Sequence, residues 1–141
     1  MNLKLSLARS VIDGALADAR SRNANPLAVV VLDAGGHLLA AVREDGASLF
    51  RFDIARAKAT GALGMGDDTR AIAARAASNA LFYTTMAIAT EGRIALAPGG
   101  LLIRSPGQKE VIGSIGISGD TGDVDELCAL AGLSAAGLGR V

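Results

Sequence analysis

The hydrophobic positions in the first third of the chain follow two different periods, and each period predicts an element. Residues 6–22 carry apolar side chains at every third or fourth position, which predicts a helix with one buried face. The unbroken, valine-rich run Leu27–Leu32 predicts a strand that is buried on both faces. Residues 33–36 form a turn and residues 37–42 return as a second strand, so the two strands predict a β-hairpin.

Helical patterns dominate the middle of the chain. Residues 54–59 and residues 67–77 predict one helix each, and the run 81–89 fits a helix or a strand, of which we favour the helix. Ser48 or Asp53 is the candidate N-cap of the first of these helices, because short polar side chains accept hydrogen bonds from unpaired N–H groups. Glycines are expected to break that helix at three positions, Gly61, Gly64 and Gly66.

A second hairpin and a last helix complete the predicted order. Residues 101–103 and 111–117 form the strands of the hairpin, and Asp123 with Glu126 three residues later would cap a terminal helix. The order helix, hairpin, helices, hairpin, helix indicates an antiparallel sheet that is flanked by helices. We therefore predict the α+β class and a single domain over residues 1–141.

The composition narrows the partners that such a domain can have. Half of the 141 residues are hydrophobic, and 14 Lys and Arg balance 14 Asp and Glu to a formal net charge of zero. A neutral chain with 3% aromatic residues lacks both the positive field and the stacking surfaces that nucleic acids require. Because so apolar a chain with so few charges would otherwise expose larger apolar patches than soluble monomers usually tolerate, we expect a homo-oligomer.

Further classes are excluded by features that the sequence lacks. No apolar run reaches the roughly 20 residues of a membrane-spanning helix, and the first residues do not resemble a secretory signal, so we expect no membrane partner and a cytoplasmic location. Cys128, the single cysteine, is expected to be a buried apolar residue. One His and one Cys exclude a multi-ligand zinc or iron–sulfur site within one chain.

Three segments carry more glycine and charge than a plain core requires. They are residues 33–38 with 43–47, residues 58–62, and residues 98–100 with 113–120 and 125–126. In this order and spacing they resemble the GlcG/HbpS family, a haem-binding or haem-degrading domain family related to the C-terminal domain of PduO-type corrinoid adenosyltransferases. One departure is Glu44, where the family's loop usually reads Arg-Met-Asp-Gly.

The resemblance implies a profilin-like fold, a homo-oligomer and a pocket for a small ligand, for which haem is the first named candidate. The residues of these segments that are candidates for holding the ligand are Arg43, Asp45, Lys58, Thr60, Gly99, Gly100 and Asp125.

Each candidate also has a purely structural explanation. Arg43 and Asp45 follow a strand, where they can hold a polar ligand group or each other. Lys58 can bind a carboxylate or act as a base if it is desolvated, but it can equally be a solvated helix side chain. The pair Gly99-Gly100 can leave N–H groups free for an anion or merely form a tight turn. Asp125 lies in an acidic cluster at a predicted helix start, where the helix dipole by itself is enough to favour negative charge.

His37, the single histidine, is a candidate haem ligand. A histidine directly after a Gly-Gly turn is usually exposed and structural, so haem ligation by His37 depends on the family resemblance. The other side chains able to bind an iron are Met65, Tyr83, Met86 and Cys128.

Two functions remain open from the sequence. The first is the binding of an anionic or metallo-organic small molecule, with haem as the named candidate. The second is an enzyme of small-molecule catabolism, in which Lys58 or Asp45 acts as general acid or base and the Gly99-Gly100 turn stabilises an oxyanion.

Overall fold

The computed structural model describes residues 1–140, which form five helices and a four-stranded antiparallel sheet. The elements in chain order are α1 (Leu5–Ser21), β1 (Ala28–Asp33), β2 (Leu38–Arg43), α2 (Arg51–Met65), α3 (Thr69–Ala77), α4 (Ala80–Ala89), β3 (Gly100–Arg104), β4 (Val111–Ser118) and α5 (Gly122–Ala135). The predicted α+β class, both hairpins and the helix over residues 81–89 are confirmed.

The sheet has the strand order β2-β1-β4-β3, so the two hairpins lie side by side and β1 pairs with β4 in the centre. Helices α1 and α5 cover one face, and α2 covers the other. Because β1 has neighbours on both edges and both faces, its apolar run Ala28–Leu32 is completely buried. The prediction that the valine-rich run forms a strand buried on both faces is therefore confirmed.

The hydrophobic core is divided among three clusters. The largest fills the space between the sheet and α1 with α5, and a smaller one lies between the sheet and α2. A third cluster joins α3 and α4 through Ile72, Ala76, Tyr83 and Ile94. Of α4, only Tyr83 is buried, so this helix is attached to the rest of the chain by a narrow contact.

Helix α2 approaches the sheet most closely at β4. A Cβ atom at Gly116 would lie 1.9 Å from the carbonyl oxygen of Ala55, a distance at which atoms overlap. Glycine is the residue that allows a helix backbone to pack directly on a strand backbone. The glycines of residues 113–119 are thus explained at least in part by packing.

The expected breaks in α2 at Gly61 and Gly64 are wrong. The helix continues through both residues and ends at Gly66, whose φ of 71° is left-handed. Gly61 is buried, and its hydrogen faces Ile94 at a place where a Cβ would lie 3.1 Å from the isoleucine Cγ1. The glycine therefore makes room for Ile94. Neither Ser48 nor Asp53 caps the helix, because its N-cap residue is Phe50 and no side chain bonds there.

Side chains close the free edge of β3. Asp68 Oδ1 accepts a hydrogen bond from the Leu102 N–H at 2.9 Å, and Thr69 Oγ1 accepts one from the Gly100 N–H at 2.8 Å. Arg140 donates to the Leu102 carbonyl at 2.7 Å and also pairs with Asp68. These bonds replace those of a neighbouring strand and protect the edge from pairing with another chain.

Helix α5 is capped two residues before the predicted position. Its N-cap is Thr121, whose Oγ1 accepts a hydrogen bond from the Val124 N–H at 3.3 Å. Asp123 and Glu126 do not form the predicted reciprocal cap, and their carboxylates instead accept hydrogen bonds from Arg70 of α3. The predicted cap at Asp123 is therefore wrong by two residues, and a distant arginine binds the acidic side chains.

Thr121→Ala is expected to lower the free energy of unfolding by about 1 kcal/mol, because it leaves an N–H of the first turn of α5 without its cap. Urea unfolding followed by circular dichroism measures the loss. Thr84→Ala, an exposed replacement within α4, is the matched control and should leave stability unchanged or slightly higher. Equal losses in the two variants would contradict the capping role.

Among residues 1–140, no helix combines the length and the apolar composition needed to cross a bilayer.

Candidate functional site

Lys58 and Asp125 form a buried ion pair between α2 and α5. The ammonium Nζ lies 3.1 Å from Asp125 Oδ2 and donates a second hydrogen bond to the Ile117 carbonyl at 2.7 Å. Both side chains are almost fully shielded from solvent. The pair therefore joins a helix on one face of the sheet, the end of β4 and the first turn of α5.

The glycine pair Gly99-Gly100 packs against this ion pair. A Cβ at Gly99 would lie 2.8 Å from Lys58 Nζ, and the residue has a φ of 121° that disfavours any side chain. A Cβ at Gly100 would lie 2.6 Å from the Lys58 carbonyl oxygen. The Gly100 N–H is already bonded to Thr69, so it is not free to hold an anion.

Burial and mutual attraction shift the pKa values of Lys58 and Asp125 in opposite directions. Burial lowers the pKa of Lys58 and raises the pKa of Asp125, while the attraction between them opposes both changes. Asp125 Oδ1 also accepts a hydrogen bond from the Asp120 N–H at 3.0 Å. Both side chains of the pair thus have their hydrogen-bond partners within the chain. The pair can hold α2, β4 and α5 together without any ligand.

Arg43 and Asp45 lie elsewhere, at a crevice of about 450 Å³ where β2 ends. The crevice is lined by Leu16, Arg20, Pro26, Val42, Arg43, Glu44 and Asp45. Arg43 and Asp45 are both exposed, and Arg43 Nη1 donates to the Ala47 carbonyl at 2.8 Å. Among residues 1–140, the remaining N–H groups of the Arg43 guanidinium have no hydrogen-bond partner.

Two lining residues, Arg20 and Glu44, were not among the sequence candidates. Glu44 Oε1 accepts hydrogen bonds from the Leu27 N–H at 2.9 Å and from Arg20 at 3.2 Å. Glu44 is the residue at which this loop departs from the usual family pattern. A residue 24 positions away neutralises its charge, and no local sequence signal could have indicated that pairing.

The structure separates the candidate residues into these two groups. Arg43 ends β2 and Gly100 begins β3, which are the outer strands of the sheet. Three strand spacings of about 4.8 Å, together with the two residues by which Gly100 is offset from the row of Arg43 and Ser118, place them roughly 16 Å apart. The groups are nevertheless connected, because Asp120 Oδ2 accepts from the Asn25 N–H at 2.8 Å and the Asn25 carbonyl accepts from Arg20 at 3.1 Å.

Thr60 and His37 belong to neither group. Thr60 Oγ1 donates to the Arg56 carbonyl one turn earlier in α2. His37 lies at the exposed tip of the first hairpin, and its Nδ1 is 3.2 Å from Asp33 Oδ1. The main-chain N–H of His37 also donates a hydrogen bond to Asp33 Oδ1. This hydrogen bond holds the pKa of the Asp33 carboxyl below its usual range.

The potential iron ligands differ in how well they suit that role. A histidine whose Nδ1 is held by a carboxylate presents Nε2 to a metal, and the His37–Asp33 pair has this arrangement. Cys128 is buried as predicted, and burial raises the pKa of its thiol to about 11, so it stays protonated at neutral pH. Tyr83 is buried and accepts a hydrogen bond from Arg75 at 3.3 Å. His37 therefore has the donor chemistry that an iron ligand needs.

Metal ions bound by protein side chains alone require a cluster of ligands. Within the part of the chain that the structure describes, no three His, Cys, Asp or Glu side chains lie close enough to share an ion.

Comparison with known proteins adds the family. The sequence model described as haem degrading protein HbpS-like matches residues 3–134. Klebsiella pneumoniae protein ORFY is 27% identical, with a TM-score of 0.86 over 95% of this chain and 90% of that one. A double mutant of Streptomyces reticuli HbpS is 28% identical, with a TM-score of 0.79 over 99% of this chain and 89% of that one.

A PduOC:heme complex shares the fold at 24% identity, with a TM-score of 0.85 over 96% of this chain and 95% of that one. No curated protein matches the sequence significantly. Because the family match spans nearly all of the sequence and the fold agrees with it, the chain belongs to the HbpS-like family.

Proposed function

We propose that the protein binds a haem-related small ligand that carries carboxylate groups, and that the crevice at the end of β2 receives those carboxylates. The observation that carries this proposal is Arg43, whose exposed guanidinium borders the crevice and makes one hydrogen bond within the described chain. Membership of the HbpS-like family supports the ligand class.

Arg43 suits a carboxylate because a guanidinium offers a planar pair of N–H donors that match the two carboxylate oxygens. Arg20 contributes less, since Glu44 already neutralises its charge at 3.2 Å. Leu16 and Val42 give the crevice an apolar wall on which a hydrophobic ring system can lie. Asp45 is exposed at the rim and can accept a hydrogen bond from the ligand.

Binding is favoured over the enzyme alternative by the surroundings of Lys58. The ammonium is buried, and its hydrogen bonds go to Asp125 and to the main chain of Ile117. A general base has to reach the proton that it removes. Lys58 would have to leave both partners to reach a ligand, and Asp45 lies in the other group of residues.

A bound haem would supply a redox-active iron. His37 has the donor atom for that iron, but it precedes β2 whereas Arg43 ends this strand of six residues. At about 3.4 Å per residue the two side chains are roughly 20 Å apart. We therefore assign the carboxylates to Arg43 and treat iron ligation by His37 as a separate question.

Titration with haemin and with metal-free protoporphyrin, followed by absorbance and fluorescence, tests the proposal. Arg43→Ala is expected to weaken the binding of both compounds about 10- to 100-fold, because it removes a charge-assisted bidentate contact. Arg56→Ala, which removes an exposed arginine of α2 outside the crevice, is the matched control and should bind as the wild type does.

The paired ligands and a His37→Ala variant separate the two contacts. If His37 ligates the iron, His37→Ala changes the haemin absorbance spectrum and leaves the protoporphyrin affinity unchanged. The proposal is overturned if neither compound binds the wild type, or if Arg43→Ala and Arg56→Ala bind both compounds with equal affinity.

A further inference from the structure

The charged residues that line the crevice at the end of β2 balance one another. They are two arginines, Arg20 and Arg43, and two acids, Glu44 and Asp45. Arg20 and Glu44 form an ion pair, in which Arg20 Nε lies 3.2 Å from Glu44 Oε2 and Arg20 Nη2 lies 3.2 Å from Glu44 Oε1. Among residues 1–140, Arg43 takes part in no ion pair. The crevice therefore offers a ligand one available guanidinium and a second that is already occupied.

The main chain at the start of β1 holds Glu44 in this position. The Leu27 N–H donates to Glu44 Oε1 at 2.9 Å, and the N–H of Glu44 itself donates to the Leu27 carbonyl at 2.8 Å. The Glu44 side chain is only 18% exposed, so solvent screens its contacts incompletely. To release Arg20, this carboxylate would also have to give up the Leu27 N–H. Glu44 is thus fixed beside Arg20 in the absence of a ligand.

Arg20 is held from a second side as well. Its Nη2 donates to the Asn25 carbonyl at 3.1 Å, while 47% of the side chain stays exposed at the crevice. A ligand carboxylate can therefore approach Arg20, but it has to compete there with the carboxylate of Glu44. A group that belongs to the same chain has a far higher effective concentration than a dissolved ligand. The competition consequently favours Glu44.

We infer that Glu44 determines the charge specificity of the crevice: it occupies Arg20 and so restricts the crevice to one ligand carboxylate, which Arg43 binds. This inference rests on the proposed function, because it concerns the same crevice. It narrows the ligand class to apolar ring compounds for which one carboxylate is sufficient. Without the negative charge of Glu44, Arg20 and Arg43 would offer two guanidinium groups, and the crevice would prefer a dicarboxylate.

Protoporphyrin, its monomethyl ester and its dimethyl ester carry two, one and no free carboxylates on the same ring system, and fluorescence titration compares their affinities. The wild type should bind protoporphyrin and the monomethyl ester with affinities within about twofold of each other, because only one carboxylate is bound. The dimethyl ester should bind at least about 10-fold more weakly, since Arg43 then lacks a charged partner. This comparison requires no variant, so it tests the inference even if a substitution disturbs folding.

Glu44→Gln removes the charge and keeps an oxygen for the Leu27 N–H. The ratio of protoporphyrin affinity to monomethyl ester affinity should rise about 5- to 10-fold in this variant, because Arg20 becomes available for the second carboxylate. The increase should shrink in high salt, since Arg20 is half-exposed. Glu91→Gln makes the same chemical change at an exposed position outside the crevice, and this matched control should keep the wild-type ratio.

Adding Arg20→Gln to Glu44→Gln identifies the group that is responsible. The double variant should return to the wild-type ratio, because it lacks the guanidinium that the single variant releases. The inference is overturned if the wild type already binds protoporphyrin about 5-fold or more tightly than the monomethyl ester. An unchanged ratio in Glu44→Gln, or an increased ratio that persists in the double variant, would also overturn it.

Failure of the proposed function gives a different result. If the dimethyl ester binds the wild type as tightly as protoporphyrin does, the crevice binds no carboxylate, and the inference about Glu44 is overturned together with the proposed function. If the dimethyl ester binds weakly and Arg43→Ala weakens protoporphyrin binding, the proposed function holds. An unchanged ratio in Glu44→Gln then contradicts the role of Glu44 alone.

Discussion

Replacing Asp125 with asparagine is expected to lower the free energy of unfolding by about 3–5 kcal/mol, the usual cost of removing one partner of a buried ion pair. The asparagine keeps the shape of the side chain and an oxygen for the Asp120 N–H. It leaves the Lys58 ammonium buried without a counter-charge, at a site where Ile117 supplies only a neutral carbonyl. Urea unfolding at neutral pH measures the loss.

Two further variants show whether the charge is the cause. Asp123→Asn makes the same chemical change two residues away, where the carboxylate is exposed and pairs with Arg70, and it should cost less than about 1 kcal/mol. Adding Lys58→Met to Asp125→Asn removes the stranded charge and should recover at least half of the lost stability. Similar losses for the two asparagine variants, or no recovery in the double variant, would contradict the structural role of the pair.

Gly116→Ala is expected to destabilise the protein by about 3 kcal/mol or more, because overpacking that no side chain can relieve forces the backbone to move. The new Cβ would overlap the Ala55 carbonyl oxygen at 1.9 Å and would approach the Ala59 nitrogen at 2.8 Å. Both atoms belong to the backbone of α2. Thermal and urea unfolding should show the loss, and hydrogen exchange should show it first in α2 and β4.

Gly64→Ala is the matched control, and the expected effect has the opposite sign. Gly64 is an exposed residue of α2, and a Cβ added there would meet no atom from another part of the described chain within 4 Å. Alanine there should raise the stability by up to about 1 kcal/mol, because it restricts the unfolded chain and favours the helix. If both variants were destabilised, the close approach of α2 to β4 would not explain the loss at Gly116.

The sequence was most informative where a residue's neighbours along the chain determine its state. The valine run of β1 and the Pro- and Gly-containing turns predicted the hairpins, since strand burial and turn geometry are local properties. The burial of Cys128 followed in the same way from the apolar run around it. Local pattern failed at Gly61, because the reason for that glycine is Ile94, which lies 33 positions later in the loop between α4 and β3.

In the candidate site, too, the local sequence predicted some features and distant residues decided the others. The sequence selected Lys58 from one motif and Gly99 and Asp125 from another, and the fold brings these three together. It gave no indication that the group would be closed to solvent, or that Arg43 would lie at the other edge of the sheet. Ion pairing between residues 67 positions apart depends on how distant elements are placed around the sheet, and a single sequence carries no local signal of that placement.

By itself, the sequence determined the order of the elements, the α+β class and the residues that carry charge or lack a side chain in the three motifs. Periodicity and turn chemistry act over a few residues, so they can be recognised without coordinates. Only the tertiary structure decided which of those charges are buried. The solvation of Lys58 and of Arg43 depends on the distant elements that cover the first and leave the second open to water.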